Sequence, residues 1–338
     1  MGERPIIATT YAWKIEESMS LMKRNKISDR YFTSLSCKIF IMGCATEGES
    51  AVIILYDGTD VVYSCVVDSF VCDDKIVAKE LLCNLKISHI TDLFWTHPHD
   101  DHSRGMISLI DEFSPETIYL ASELHDLSDN IKTHSVDVLQ RINMCRGYDG
   151  RCVNESKVKG ISTNSLIKSE ELRVGTKVVP FRMYTIAPVN GRLREKVIKA
   201  SPDSALNDFS LAFSVDIGDF SILLTGDVQD RMINTAREEL CGQIYTPNLL
   251  KIPHHGSNYS TEILSIFDGD DLIDYGITTS KRSSGLPTDE ALSIYHSKCS
   301  HTYKIDSESK KCAVWGIDVD IVAGKVTNIM SDSFVEYV

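Results

Sequence analysis

The chain has 338 residues, a formal net charge of -13 and an apolar fraction of 43%, enough to bury the core of one large α/β domain or two smaller ones. The acidic balance disfavours a broad electropositive surface for non-specific nucleic-acid binding. No run of about 18 apolar residues occurs and the first twenty residues lack a signal-peptide core, so the expectation is a cytoplasmic protein with no stable membrane insertion.

Residues 1–34 place Trp13, Ile15, Met19 and Met22 among Lys and Arg at roughly helical spacing, which predicts an amphipathic extension. Glu16 and Glu17 weaken the rival reading of a membrane-surface helix. A single domain is expected over residues 35–338. It opens with CKIFIMG, SAVIILYDG and DVVYSCVVDSF, short runs of Val, Ile and aromatics ended by Gly, Asp or Ser, which read as strands joined by turns. KIVAKELLCNLKI then reads as a helix, TDLFWT as a short buried strand and SRGMISLIDEF as a second helix.

The stretch from about 133 to 206 is less regular and reads as an insertion around one or two strands, KVVPFRMYTIA among them. Strands resume with FSLAFSVDI and FSILLTGD, followed by a helical RMINTAREEL and by NLLKIPHHGS, a strand ending in histidines. Strand and helix keep alternating through DLIDYGITTS, TDEALSIYHS, HTYKID and CAVWGIDVD, which predicts a layered α/β/β/α sandwich. The ten cysteines form no C-x-x-C pair, and reduced, mostly buried thiols are expected.

Chemistry concentrates in Thr96-His97-Pro98-His99-Asp100-Asp101-His102, three imidazoles and two carboxylates within seven residues. Histidine nitrogen and carboxylate oxygen are ligands for Zn²⁺ and similar cations, and an extended i, i+2 pair such as His97 and His99 points both rings to one side. Asp101 and His102, past the bend into the helix, can face a second ion about 3.5 to 4 Å from the first. Burying these groups with no ion would strand costly unpaired polar atoms, so a purely structural role is disfavoured. His254 and His255 end a strand before Gly256, and either could be a ligand. Asp227 also ends an apolar strand, where an ordinary turn residue is the competing reading. Lys281 and Arg282 could grip a substrate phosphate, although surface Lys and Arg are usually only solvated.

The segment resembles the H-x-H-x-D-H signature of the metallo-β-lactamase superfamily. VVDSF (Asp68), LLTGD (Asp227), NDFSLAFSV (Asn207, Ser210) and LLKIPHHGS extend the likeness towards the ComEC/Rec2-like metallohydrolase branch, over roughly residues 37–305. The resemblance implies a four-layer α/β/β/α sandwich holding one or two Zn²⁺ ions, with Mn²⁺ as a substitute. His97, His99, Asp101, His102, Asp227 and one or both of His254 and His255 are the implied ligands, with Asp68 behind them orienting a ligand imidazole. Two departures stand out: no histidine lies between His134 and His254, and Leu286 precedes Pro287 where that branch carries a later histidine. His296, His301 or water are the candidates to fill that place.

The activity implied is hydrolysis by a metal-bound hydroxide, formed when the ion lowers the pKa of water from about 15.7 towards roughly 7. Asp227 would bridge the ions, and Asp100 is the candidate proton donor to the leaving oxygen. Asp101 and His255 complete the catalytic set, with Ser257, Lys281 and Arg282 on the substrate. A phosphodiester, in nucleic acid or a nucleotide-like small molecule, is the expected substrate, with a protein partner to deliver nucleic acid as a possibility. The alternatives are hydrolysis of a carboxylic ester, thioester or lactam, and a degenerate, non-catalytic metal-binding scaffold subunit.

Overall fold

β-Branched and aromatic runs dictate two large sheets. The computed structural model describes residues 27–122, 124, 133–145, 157–190, 206–240, 244–307 and 310–338. In chain order these form β1 (Tyr31–Phe32), β2 (Ser36–Cys44), β3 (Gly48–Asp57), β4 (Asp60–Val67), the short pair β5 (Val71–Cys72) and β6 (Lys75–Ile76), and α1 (Val77–Asn84). There follow β7 (Asp92–Phe94), α2 (Asp100–Ser103), α3 (Met106–Phe113), β8 (Thr117–Ala121), α4 (Thr133–Cys145), β9 (Val158–Ile161), β10 (Leu166–Val174) and β11 (Lys177–Ala187). The last elements are β12 (Ala212–Ile217), β13 (Phe220–Leu224), α5 (Asp230–Glu239), β14 (Leu249–Lys251), β15 (Ile273–Thr279), α6 (Asp289–Lys298), β16 (Cys299–Ile305), β17 (Ala313–Asp320), β18 (Lys325–Ser331) and β19 (Val335–Tyr337).

One sheet runs β18-β17-β2-β3-β4-β7-β8-β9 and the other β1-β10-β11-β12-β13-β14-β15-β16-β19. β3 is buried along nearly its whole length, with only Asp57 partly exposed, because one face meets the other sheet and the other meets helices; such a strand reads as a continuous apolar run. The sheets meet through side chains such as Phe94 of β7, stacked on Phe213 of β12 with ring centroids 4.2 Å apart. Each such buried ring contributes about 1.5–3 kcal/mol. Helices cover the outer faces: α3 buries Met106, Leu109, Ile110 and Phe113, spaced i, i+3, i+4 and i+7, as an amphipathic helix must. α5 and α6 lie against the second sheet, and Thr288 caps α6 by accepting from the Ala291 N–H at 3.2 Å. Two sheets packed face to face with helices outside them form the layered α/β/β/α sandwich expected from the sequence.

The parallel segments position the site. β4, β7, β8 and β9 run parallel in one sheet, and β13, β14, β15 and β16 in the other. Asp68 follows β4, His97 follows β7, Asp227 follows β13, His254 and His255 follow β14 and Lys281 follows β15. The carboxyl ends of both sets open on one crevice, the usual place for ligands in α/β sheets. Backbone bonds tie the loops together there: Leu211 N–H donates to the Thr96 carbonyl at 3.2 Å, and His254 N–H to that of Gly226 at 3.1 Å.

Of the expected extension, residues 1–26, including Trp13, Ile15, Met19 and Met22, lie outside the described residues, and β1 already pairs in parallel with β10. The stretch read as an insertion over 133–206 holds α4, β9, β10 and β11. β10 and β11 belong to the main body of a sheet, since β11 pairs along β12. Exposed positions on β10 obscure it in the sequence. No helix among the described residues is long and apolar enough to cross a membrane.

Candidate metal centre

The His97–His102 segment leaves β7 extended and then turns into α2, with His99 extended at its N-terminal boundary. His97 and His99 lie before the helix and Asp101 and His102 within it, so their rings and carboxylate approach one point from two directions. Asp227 lies between them, wholly buried. Its Oδ2 is 3.6 Å from His97 Nε2, and its Oδ1 is 3.5 Å from His102 Nε2 and 3.8 Å from His255 Nε2. Asp101 Oδ2 adds contacts of 3.4 Å to His255 Nε2 and 3.7 Å to His102 Nε2.

Two donor sets therefore share Asp227: His97, His99 and Asp227, and Glu49, His102, Asp227 and His255, each set with donor atoms within 4.8 Å of one another. Both Asp227 oxygens, His102 Nε2 and His255 Nε2 are buried with no hydrogen-bond partner among the described residues. Four such atoms aimed at one space would each cost about 1–3 kcal/mol if left empty-handed. With imidazole nitrogen and carboxylate oxygen and no thiol, the donor set could hold a divalent cation.

Electrostatics prepare these groups. Burial, with His102 and His99 nearby, holds His97 well below the ordinary histidine value, and burial pushes His99 down to about 4. Both are thus neutral and able to ligate. Burial works against charge on His102, but Asp227, Asp68 and Asp101 outweigh it and hold the ring well above its usual value. Burial likewise opposes charge on Asp227 and Asp101, yet His102 and its neighbours keep both carboxyls well below the usual range.

Asp68, expected as support, sits behind His102. Its oxygens accept from Thr96 N–H at 2.7 Å and Thr96 Oγ1 at 2.6 Å, and Oδ2 lies 2.7 Å from His102 Nδ1. With Nδ1 held there, His102 presents Nε2 to Asp227.

The two adjacent histidines separate. Pro253–Gly256 form a tight turn in which His254, His255 and Gly256 take φ of 48°, 54° and 75°. Left-handed backbone on non-glycine residues costs about 1–3 kcal/mol each and persists where the surroundings fix it. The turn sends His255 into the cluster, whereas His254 Nε2 lies 3.3 Å from Asn207 Nδ2 and its Nδ1 3.4 Å from Gln229 Nε2. His254 joins neither donor set.

The other sequence candidates lie around this centre. Lys281 Nζ is 2.6 Å from Asp101 Oδ2, while Arg282 points to Asp306 at 3.4 Å. The Ser257 hydroxyl is buried and accepts from Tyr259 N–H at 3.2 Å within its own turn. Asp100 begins α2, with Oδ2 3.8 Å from Arg104 and Oδ1 without a partner among the described residues. His301 stacks on Tyr275 and His296 lies exposed on α6; neither is in a donor set. His89 pairs with Glu116 at 3.0 Å, and His134 is exposed on α4. A cleft of about 660 Å³ beside α2 is lined by Glu47, Asp73, Arg104, His134 and Lys310 but by none of the cluster's donors.

Sequence reasoning missed Glu49, Lys251 and Thr279. Glu49 Oε2 is 2.8 Å from Lys251 Nζ and 3.4 Å from His255 Nδ1, and it accepts from the Thr279 hydroxyl. The available signal was Lys251 itself, a cation inside the apolar run LLKIP that would need a buried counter-charge.

No family model matches the chain, and no curated protein matches it. Solved structures similar to it include a diphosphatase of the PhnP family, at 11% identity over 83% of this chain and 98% of that one, with a TM-score of 0.37. Another is a metallo-β-lactamase bound to 2-mercaptoethanesulfonate, at 10% identity, 77% and 92% coverage and a TM-score of 0.35. A third is an archaeal metallo-β-lactamase superfamily protein from Sulfolobus tokodaii, at 13% identity, 56% and 68% coverage and a TM-score of 0.30.

Proposed function

We propose that the chain is a metal-dependent hydrolase that cleaves a phosphodiester, with Zn²⁺ or Mn²⁺ as its cofactor. The observation that carries the reading is the convergence of four unpartnered buried donor atoms, on Asp227, His102 and His255, beside His97 and His99. His97, His99 and Asp227 would hold one ion, and Asp101, His102, Asp227 and His255 a second. A bound divalent ion supplies an acidified water and a positive charge for the oxygen that becomes anionic.

The residues around the ions do the rest. Asp68 fixes the His102 ring, and Asp227 presents one oxygen to each donor set. Lys281, the ammonium at the Asp101 carboxylate, would meet an anionic phosphoryl oxygen, and a lysine serves phosphate as a point charge. Asp100, at the start of α2 with one oxygen free, is the candidate to protonate the leaving oxygen. The net charge of -13 favours a small diester over long nucleic acid unless a partner delivers it. The motifs of the ComEC-like branch support the same substrate class.

The test compares bis-p-nitrophenyl phosphate with p-nitrophenyl acetate, using protein whose metal content has been measured. The expected result is bound zinc or manganese in near-stoichiometric amount, diester turnover, and loss of both in Asp227→Ala. Preferential turnover of the acetate would move the substrate to carboxylic esters. Protein that neither retains nor takes up metal and turns over neither compound would overturn the reading.

A further inference from the structure

The buried pair of Glu49 and Lys251 has no role in the chemistry above, yet it stands directly behind a proposed ligand. Both side chains are about 6% exposed, and they come from different sheets: Glu49 from β3, Lys251 from the end of β14. The sheets are close here. A Cβ on Gly43 of β2 would lie 2.6 Å from Thr279 Cγ2 of β15, so only glycine admits the approach.

The hydrogen-bond directions follow from donor chemistry. His255 Nδ1 lies 3.1 Å from the Thr279 carbonyl oxygen and 2.9 Å from Thr279 Oγ1. A carbonyl only accepts, so Nδ1 carries the hydrogen. The Thr279 hydroxyl donates to Glu49 Oε2 and is left to accept from Nδ1. The same Glu49 oxygen receives the Lys251 ammonium and lies 3.4 Å from Nδ1. The result is a relay, Lys251 to Glu49, Glu49 to Thr279, Thr279 to His255. It fixes the tautomer that leaves the His255 Nε2 lone pair facing Asp227 and Asp101.

Glu49 falls within the same group of donors as His102, Asp227 and His255. Its Oε2, however, is already engaged by an ammonium and a hydroxyl, and it approaches the Nδ1 side of the ring. It supports the ligand from behind.

We propose that Glu49 is a positioning residue for His255. Through Thr279 it orients the ring, and its negative charge beside Nδ1–H makes Nε2 a stronger donor to a divalent cation; Lys251 makes burial of that charge tolerable. The proposal rests on the metal-centre reading of the same cluster.

The test is a titration of the chelator-stripped full chain with Co²⁺, following the visible d–d absorption, alongside Zn²⁺ competition. Glu49→Gln/Lys251→Met removes both buried charges together, so no orphan ion remains, and Glu49→Asp is the conservative control. The expected outcome is cobalt affinity weakened by about 10–100-fold with shifted d–d bands in the double variant. Metal-free thermal unfolding should stay close to wild type, and Glu49→Asp should recover part of the affinity. Wild-type affinity and spectrum in the double variant would overturn the proposal. If the double variant does not fold, Thr279→Val breaks the relay and leaves the ion pair intact: a smaller shift in the same direction supports the proposal, and no shift overturns it. Absence of cobalt binding by the wild type would instead remove the metal-centre reading itself.

Discussion

At the scale of single residues, the cluster rests on side chains that decide which nitrogen of each ring faces inward. Asp68 does this for His102, at 2.7 Å from Nδ1, while also receiving both the N–H and the hydroxyl of Thr96. Asp68→Asn keeps the shape but removes the charge and half the acceptor capacity. The expected outcome is a 10–100-fold weaker zinc affinity, roughly the usual effect of losing an outer-shell carboxylate, read by competition with a chromophoric chelator. Unchanged affinity would mean that His102 needs no such support. The convergence of the His97 to His102 run on one point was legible because its density of donors has few structural explanations. Glu49 was not: a lone glutamate at a strand start reads as solvent-facing, and its partners Lys251 and Thr279 lie some two hundred residues away in another sheet.

At the scale of elements, the strand ends and their turns do the positioning. The turn after β14 shows why the sequence left His254 and His255 open: both follow the same strand, and only the left-handed backbone through Gly256 separates their directions. A Cβ at Gly256 would come within 2.7 Å of Pro287 Cβ, at a φ of 75°. Gly256→Ala should cost about 1–3 kcal/mol, in line with backbone forced into the left-handed region, and should displace His255. Denaturant unfolding checks the first effect and cobalt absorption the second; a variant with wild-type stability and spectrum would show that the turn has slack. The loop after β15 carries the other decisive placement. Lys281 and Leu286 exchange backbone bonds of 2.9 and 3.1 Å, which holds the Lys281 ammonium on Asp101. Lys281→Met removes a positive charge beside the site occupied by His102 and His255, so the second equivalent of zinc should bind more tightly, by calorimetry, while diester turnover falls. β10 and β18 escaped the sequence reading for a simpler reason: many of their positions are exposed, so the apolar signal is thin.

At the scale of the whole molecule, the centre is where the two sheets are joined, since Glu49 and the segments that carry Asp68, His97 and His102 come from one, and Thr279, Lys251 and the segments that carry Asp227 and His255 from the other. A cation bound there stabilises the native state only. At one hundred times its dissociation constant it adds about 2.7 kcal/mol, and at about 2 °C per kcal/mol for a chain of this size the melting temperature should rise by roughly 5 °C. The dependence on pH follows from His102. In the metal-free protein its raised pKa contributes stability that is fully present below the unfolded value of about 6.5 and is lost as pH rises through the folded value. The depressed Asp101 and Asp227 act at the other end: their contribution is present above their unfolded value of about 3.9 and is lost as pH falls through their folded values. A metal ion must displace the proton on His102 Nε2, so its affinity should climb with pH until that proton is gone. The melting temperatures with and without zinc should therefore lie close together near pH 6 and separate steadily towards pH 8, with proton release visible as a buffer-dependent binding enthalpy. A constant separation across that range, with no proton released, would place the bound ion away from His102.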